Sequence, residues 1–245
     1  MKLLWRAAVL LLALALLTTC EDHAHLRDSL TVVFCFDDGD GTIFSVAQPV
    51  LQAHGFKGTL FVNSGYVGVG QKMTWSQLDT LVLAHGWELG GHTRTHANLP
   101  GCTDEEAWDE IVGDYEEFAG RGYAPCSFAL PCGAASVRDL EYIRSRYRNI
   151  RNSNDIEMHA PVDRCNVGYY SYWSDYTPAQ LVARVERGIE RRESLIVLGF
   201  HTFKDSSAGL VTNCHPEDFA TIVDYIASLD ARVLTLRQAL DEQAR

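Results

Sequence analysis

Leu195–Phe200 reads Leu-Ile-Val-Leu-Gly-Phe, a run without one polar side chain to turn toward water. Strand residues alternate between faces, so such a run is stable only when covered on both sides, as in a parallel sheet packed between helices. The rest of the chain supplies that setting. Strand-like stretches at Leu30–Phe36, Gly58–Asn63, Trp87–Gly90, Ser127–Leu130 and Arg148–Arg151 alternate with helical patterns at Ile43–His54, Trp75–Ala84, Thr103 to about Ala119 and Val137–Arg146. Thr74 is a candidate helix cap, Thr103-Asp104-Glu105-Glu106 has the form of a capping box, and Pro178 follows Thr177 at a first helical turn. A helix over Pro216–Leu229, a strand over Val233–Thr235 and a last amphipathic helix complete the alternation. Repeated βα units predict one α/β domain with a parallel sheet or barrel, and place its site at the carboxyl ends of the strands. The 245 residues suit a single domain of that kind.

Two of the predicted strands run into residues that can do chemistry. Leu30–Phe36 leads into Asp37-Asp38-Gly39, and Trp87–Gly90 leads into His92-Thr93-Arg94-Thr95-His96. Asp37 and Asp38 reach one pocket only if the strand ends there, and Gly39 and Gly41 permit the sharp turn this requires. Two histidines four residues apart converge on one ion from a helical turn or a tight loop. With one aspartate they make three ligands, Asp38, His92 and His96, and leave a carboxylate to spare. That is the minimum for metal-assisted hydrolysis. In His-Glu-x-x-His peptidases the glutamate inside the motif is the base; here Thr93 stands there, so the base comes from elsewhere and Asp37 is its supplier. A solvated turn or a pair of surface histidines would explain either segment alone. Both together, in this order, favour a site.

The pairing resembles the polysaccharide deacetylases of the NodB-homology family, carbohydrate esterase family 4, whose first motifs read Thr-Phe-Asp-Asp-Gly and His-(Ser/Thr)-x-x-His. The resemblance runs from about Leu30 to Leu240. It implies a distorted, incomplete (β/α) barrel and one catalytic domain over residues 30–245. Phe128-Ala129-Leu130-Pro131-Cys132-Gly133 is similar to the third motif, commonly Arg-x-Pro-aromatic-Gly, which implies that Pro131 shapes a wall and that the Cys132 N–H holds an oxyanion. Ala129 stands where the family has the arginine that orients the base, and Cys132 where it has an aromatic. Arg164 is the candidate replacement, because an arginine beside Asp37 would keep it ionised. Ile196–His201 is similar to the fifth motif and implies His201 as the acid that protonates a leaving amine. Tyr169–Tyr176 falls at the variable fourth motif. Such rings stack on sugars or, more commonly, pack a core, and no single one is assigned.

The implied reaction is hydrolytic N-deacetylation of an N-acetylglucosamine polymer or oligomer with release of acetate. One divalent ion is implied, Zn2+ by default, although Co2+, Ni2+, Mn2+ and Fe2+ suit the same ligands. The alternatives are an O-acetyl esterase on acetylated xylan, a non-haem iron oxygenase and a non-catalytic glycan-binding protein.

Lys2 and Arg6 precede an apolar stretch from Ala7 to Leu17 and then Thr18-Thr19-Cys20, the layout of a secretory signal peptide over residues 1–20. The stretch is too short to span a bilayer comfortably. Leu17-Thr18-Thr19-Cys20 also fits a lipoprotein cleavage box loosely, which would make Cys20 a lipidated N-terminus ahead of a mature segment, 21–29. Export is therefore expected, to the medium, the periplasm or a lipid-anchored position. Seven cysteines in an exported chain predict disulfides, with Cys35 a buried thiol inside the first strand. The formal net charge of −11, deepened by loss of the leader, argues against nucleic acid and is compatible with a neutral or cationic glycan, the partner that the resemblance implies. His54 and His85 precede glycine at element ends and read as structural; His23 and His25 bind metal only incidentally.

Overall fold

Side chains that alternate in direction along buried strands feed separate hydrophobic clusters on the two faces of the sheet. The computed structural model describes residues 30–206, 209–229 and 231–243. The expected leader, Cys20, and the segment with His23 and His25 lie outside the described residues. The strands are β1 (Thr31–Asp37), β2 (Gly58–Val62), β3 (Glu88–Gly91), β4 (Ser127–Ala129), β5 (Asn149–Arg151), β6 (Tyr170–Ser171), β7 (Leu195–Phe200), β8 (Thr202–Phe203), β9 (Asn213–Cys214) and β10 (Arg232–Val233). The main sheet runs β5-β4-β3-β2-β1-β7-β6, with β10 paired to the start of β1 and β8 with β9 forming a separate pair. All pairs are parallel.

The helices are α1 (a π-helical turn Ile43–Ala47 running into Gln48–Ala53), α2 (Trp75–Asp79 with a π-helical turn Thr80–Ala84) and α3 (Asp104–Trp108, a π-helical turn Asp109–Gly113, then Asp114–Gly120). They continue with α4 (Val137–Arg144), α5 (Pro178–Glu190), α6 (Pro216–Ser228) and α7 (Leu236–Glu242). The caps expected from sequence are present: Thr74 accepts from the Gln77 N–H, and Thr103 and Glu106 close a reciprocal box. The interruptions by π-helical turns, and the two-residue strands β6, β8 and β9, are not among the sequence expectations.

On β1, Val32, Phe34 and Phe36 face outward and pack with Ile43, Leu51, Leu78, Leu181 and Phe219 of the surrounding helices. Val33 and Cys35 face inward with Phe61, Ala129, Val197 and Tyr169, and with Leu236, Ala239 and Leu240 of α7. The curled sheet is thus a half-barrel, the distorted (β/α) barrel that was expected. Its amino end is stoppered by α7, whose first N–H groups bond Thr59 Oγ1 (Leu236 N, 2.9 Å) and Glu88 Oε2 (Arg237 N, 2.8 Å). Burial raises the Glu88 carboxyl, and the Arg237 N–H only partly offsets that.

One short segment, 167–171, reaches both edges of the sheet. Val167 pairs with Arg151 at the end of β5, while Tyr170 and Ser171 pair with Leu198 and Gly199 of β7. Among the described residues no helix is long and apolar enough to cross a membrane.

The six described cysteines are all free thiols, so the disulfides expected from an exported chain do not form among them. Four of them are engaged elsewhere. Cys35 and Cys214 belong to the two cores, Cys126 Sγ accepts from Arg148 Nε at 3.2 Å, and Cys102 Sγ donates to Asn98 O at 3.7 Å.

Candidate metal centre and active site

Asp37 continues the inward phase of Val33 and Cys35 and so projects into the barrel at its carboxyl end, only 3% exposed. Asp38 would point outward on a continued strand. Instead β1 stops at Asp37 and Asp38 itself adopts φ 66°, followed by Gly39 at φ 66°. Aspartate tolerates this left-handed conformation better than most residues, so the turn falls one residue earlier than the glycines suggested. Gly41 serves a different purpose: its N–H bonds Gln71 O at 2.7 Å, and a Cβ there would lie 2.8 Å from that oxygen.

The turn brings Asp38 against the histidine loop. His92 Nε2 and His96 Nε2 are each 3.6 Å from Asp38 Oδ1. That is too long for a hydrogen bond, and Asp38 Oδ1 is buried without a partner. The three ligand atoms all lie within 4.8 Å of one another. Bonds of about 2.0–2.2 Å to a central divalent ion would put tetrahedral neighbours roughly 3.3–3.6 Å apart. The orphaned oxygen and the spacing both fit a metal ion.

His92 is prepared for that role by its surroundings. Its Nδ1 lies 2.8 Å from Ala129 O, so Nδ1 carries the proton and Nε2 keeps its lone pair. Burial lowers its pKa to about 4, Asp37 and Asp38 offsetting this only in part, which leaves the ring neutral at ordinary pH. The motif-three position without its arginine thus supports a ligand through its carbonyl. Pro131 and the exposed Cys132, at φ 52°, follow in the turn after β4.

Arg151, missed in the sequence reading, occupies the place expected for Arg164. Its Nη2 donates to Asp37 Oδ2 at 2.7 Å, with the guanidinium 1% exposed between the Tyr169 ring at 3.9 Å and the Phe61 ring at 5.1 Å. Burial pushes the Asp37 carboxyl up, but Arg151, with His92 and His201 adding to it, more than offsets this and holds it below its ordinary value. Space for Tyr169 comes from Gly199, where a Cβ would lie 1.8 Å from the ring. His201, just after β7, places Nε2 3.8 Å from Asp37 Oδ2. Asp37 Oδ1 remains buried and without a partner.

Arg164 is not at the site. It bonds Asn149 Oδ1 (3.0 Å), Leu240 O (2.5 Å) and Asp241 Oδ1 (3.0 Å), at the amino end of β5 rather than its carboxyl end. Its own carbonyl accepts from Ile150 N, which fixes it there. Arg164→Ala is accordingly expected to lower the melting temperature by loosening α7, while the pH profile of any activity keeps its wild-type shape. A shifted acid limb would contradict this assignment. The signal for Arg151 was available in sequence: like Asp37 and His201, it closes a predicted strand at the carboxyl end, where barrel chemistry collects.

Residues 27–147 match the family model for polysaccharide deacetylase. This chain carries a polysaccharide deacetylase domain. YxkH of Bacillus subtilis (strain 168), which bears the name of a polysaccharide deacetylase, is 30% identical over 87 residues. That match covers 36% of this chain and 31% of YxkH, so the deacetylase domain aligns with about a third of that relative's length. Two solved structures share the domain's fold. A family 4 acetyl xylan esterase from Clostridium thermocellum, in complex with a cobalt ion, superposes with a TM-score of 0.61 at 18% identity, covering 86% of this chain and 91% of its own. The Bc1960 peptidoglycan N-acetylglucosamine deacetylase gives 0.59 at 18% identity, covering 88% and 89%. At such identities the likeness establishes the fold alone, an incomplete (β/α) barrel.

Proposed function

We propose that this chain is an exported, metal-dependent N-deacetylase that hydrolyses the acetamide of N-acetylglucosamine units in a polysaccharide or oligosaccharide. The observation that carries the reading is the divided role of the Asp37 carboxylate. One oxygen is held by Arg151; the other is buried and unpartnered, on a carboxylate that stands next to Asp38 in sequence and interacts electrostatically with His92.

Asp38, His92 and His96 would hold the divalent ion, Zn2+ by default. When bound, it lowers the pKa of water and polarises the acetyl carbonyl. Asp37 Oδ1 takes the proton from the attacking water, and Arg151 keeps that carboxylate ionised despite its burial. The Cys132 N–H, in the turn opened by Pro131, stabilises the negative charge that develops on the acetyl oxygen. His201 delivers a proton to the departing nitrogen. One water and one acetamide yield acetate and a free amino sugar. An O-acetyl ester would pass through the same groups, and the likeness to an acetyl xylan esterase fold supports keeping that reading.

Acetate release from N-acetylglucosamine oligomers, before and after chelation and metal return, tests the proposal. Release should fall to background on chelation and return with one divalent ion. Release only from acetylated xylan would transfer the activity to esters. Release from neither, with metal bound, would leave a glycan-binding role.

A further inference from the structure

The loop that carries both histidines is bent against its preference. Thr93 and His96 take φ 61° and φ 60°, left-handed conformations that are unusual for a histidine and strained for a β-branched threonine. Thr93 is held by the end of β2, its carbonyl and that of His92 accepting from Asn63 Nδ2 at 3.0 and 2.6 Å, and its hydroxyl accepts the Ala97 N–H at 3.1 Å. The half of the loop that presents His96 is held from outside, by α3.

Four hydrogen bonds converge on the π-helical turn Asp109–Gly113. The Glu110 carboxylate grips Thr95 twice, at its N–H (2.8 Å) and its hydroxyl (2.5 Å). The Glu110 carbonyl accepts the Arg94 N–H at 3.0 Å, and Asp109 Oδ1 accepts from Arg94 Nη1 at 3.0 Å. A regular α-helix would spend the Glu110 carbonyl on the N–H of residue 114. Here the Asp114 N–H goes to Ile111 O, so the carbonyl is released toward the loop. Gly113 makes the crowded turn feasible, since a Cβ there would stand 2.6 Å from Asp109 Oδ1. A helix irregularity thereby delivers a carbonyl and a carboxylate of one residue to the two residues preceding His96.

We propose that Glu110 is a positioning residue for the metal centre, its carboxylate clamping Thr95 so that the strained backbone at His96 holds Nε2 toward Asp38 and His92. The inference rests on the reading of Asp38, His92 and His96 as metal ligands. It assigns Glu110 no contact with metal or substrate.

Calorimetric titration of the chelated, full-length protein with Zn2+, and with Co2+ followed by its visible spectrum, tests the clamp. Glu110→Ala should weaken binding about 10- to 100-fold, the usual effect of removing support from a metal-binding side chain. Glu110→Gln should retain most of the affinity, because its amide oxygen can still accept the Thr95 N–H. Thr95→Val should weaken binding less than Glu110→Ala, and the double variant Glu110→Ala/Thr95→Val should lose no more than Glu110→Ala alone. Thr103→Ala, which removes the cap of the same helix without taking a bond from Arg94 or Thr95, separates clamping from mere helix stability: it should lower the melting temperature and leave the dissociation constant unchanged.

A folded Glu110→Ala with wild-type affinity and Co2+ spectrum overturns the inference, as does an equal loss in Thr103→Ala. If Glu110→Ala does not fold, Thr95→Val decides, and wild-type affinity in that variant is the overturning result. A wild-type chain that takes up no metal at all would instead sink the ligand assignment beneath it.

Discussion

Asp37→Asn should reduce acetate release by about 10²–10⁴-fold, the range that removal of a general base commonly produces. The asparagine matches the carboxylate in shape, and its side-chain oxygen can still accept from Arg151. Asp38, His92 and His96 are untouched, so metal content measured after dialysis should stay at the wild-type stoichiometry. That combination is what separates a base from a ligand. Loss of metal along with activity would reassign Asp37 to the ion, and activity within tenfold of wild type would mean that another group takes the proton.

Arg151→Met should act on the same carboxylate by a different route, and the pH profile reveals it. In the native protein burial raises the Asp37 pKa, and the Arg151 guanidinium brings it below the ordinary value. A methionine of similar length leaves burial unopposed. The acid limb of kcat/KM should then move upward by about 1–3 pH units, the usual worth of a neighbouring arginine. At neutral pH the variant is expected to lose much of its activity, and raising the pH should recover part of it. Asp37→Asn should show no such recovery, because it has no carboxylate to ionise. An acid limb unchanged in Arg151→Met would rule out Arg151 as the group that keeps the base charged. The linkage has a matching sign. A carboxyl depressed in the folded state contributes stability above its unfolded pKa and loses it as pH falls through the folded value. Arg151→Met should therefore narrow the gap in melting temperature between neutral and acidic solution.

The sequence carried the framework because its signals are local. The unbroken apolar run at Leu195–Phe200 demands cover on both faces, and Thr74 and Thr103 mark helix starts through bonds made within one turn. The candidate residues Asp37, Asp38, His92 and His201 stand at strand ends, where the topology concentrates chemistry, and His96 follows in the loop after β3, so their convergence could be anticipated from position and spacing. Arg151 stands at such an end too, yet its partner is 114 residues away and its burial depends on Tyr169 and Phe61 closing over it. Arg164 misled because an arginine in a loop near the missing motif position looks available until its bonds to Leu240 and Asp241 are seen. The two-residue strand β6 and the π-helical turn in α3 are likewise set by pairing with distant backbone, which leaves no periodic trace.

The segment that touches both edges of the half-barrel limits how chains of this design can diversify. Loops that hang from the carboxyl ends of barrel strands are ordinarily the parts that vary, because lengthening them costs little chain entropy. Mouth loops free of fixed contacts have that latitude. Residues 152–169 do not: Asn152 and Val167 exchange backbone bonds with their neighbours across the seam, Tyr169 bonds Asn154, and the Tyr169 ring lies over Arg151. An insertion that shifted this stretch would disturb the barrel edge and the Arg151 contact with Asp37 in one step. A change of substrate preference is therefore expected to be tolerated better in a mouth loop without these contacts than in residues 152–169.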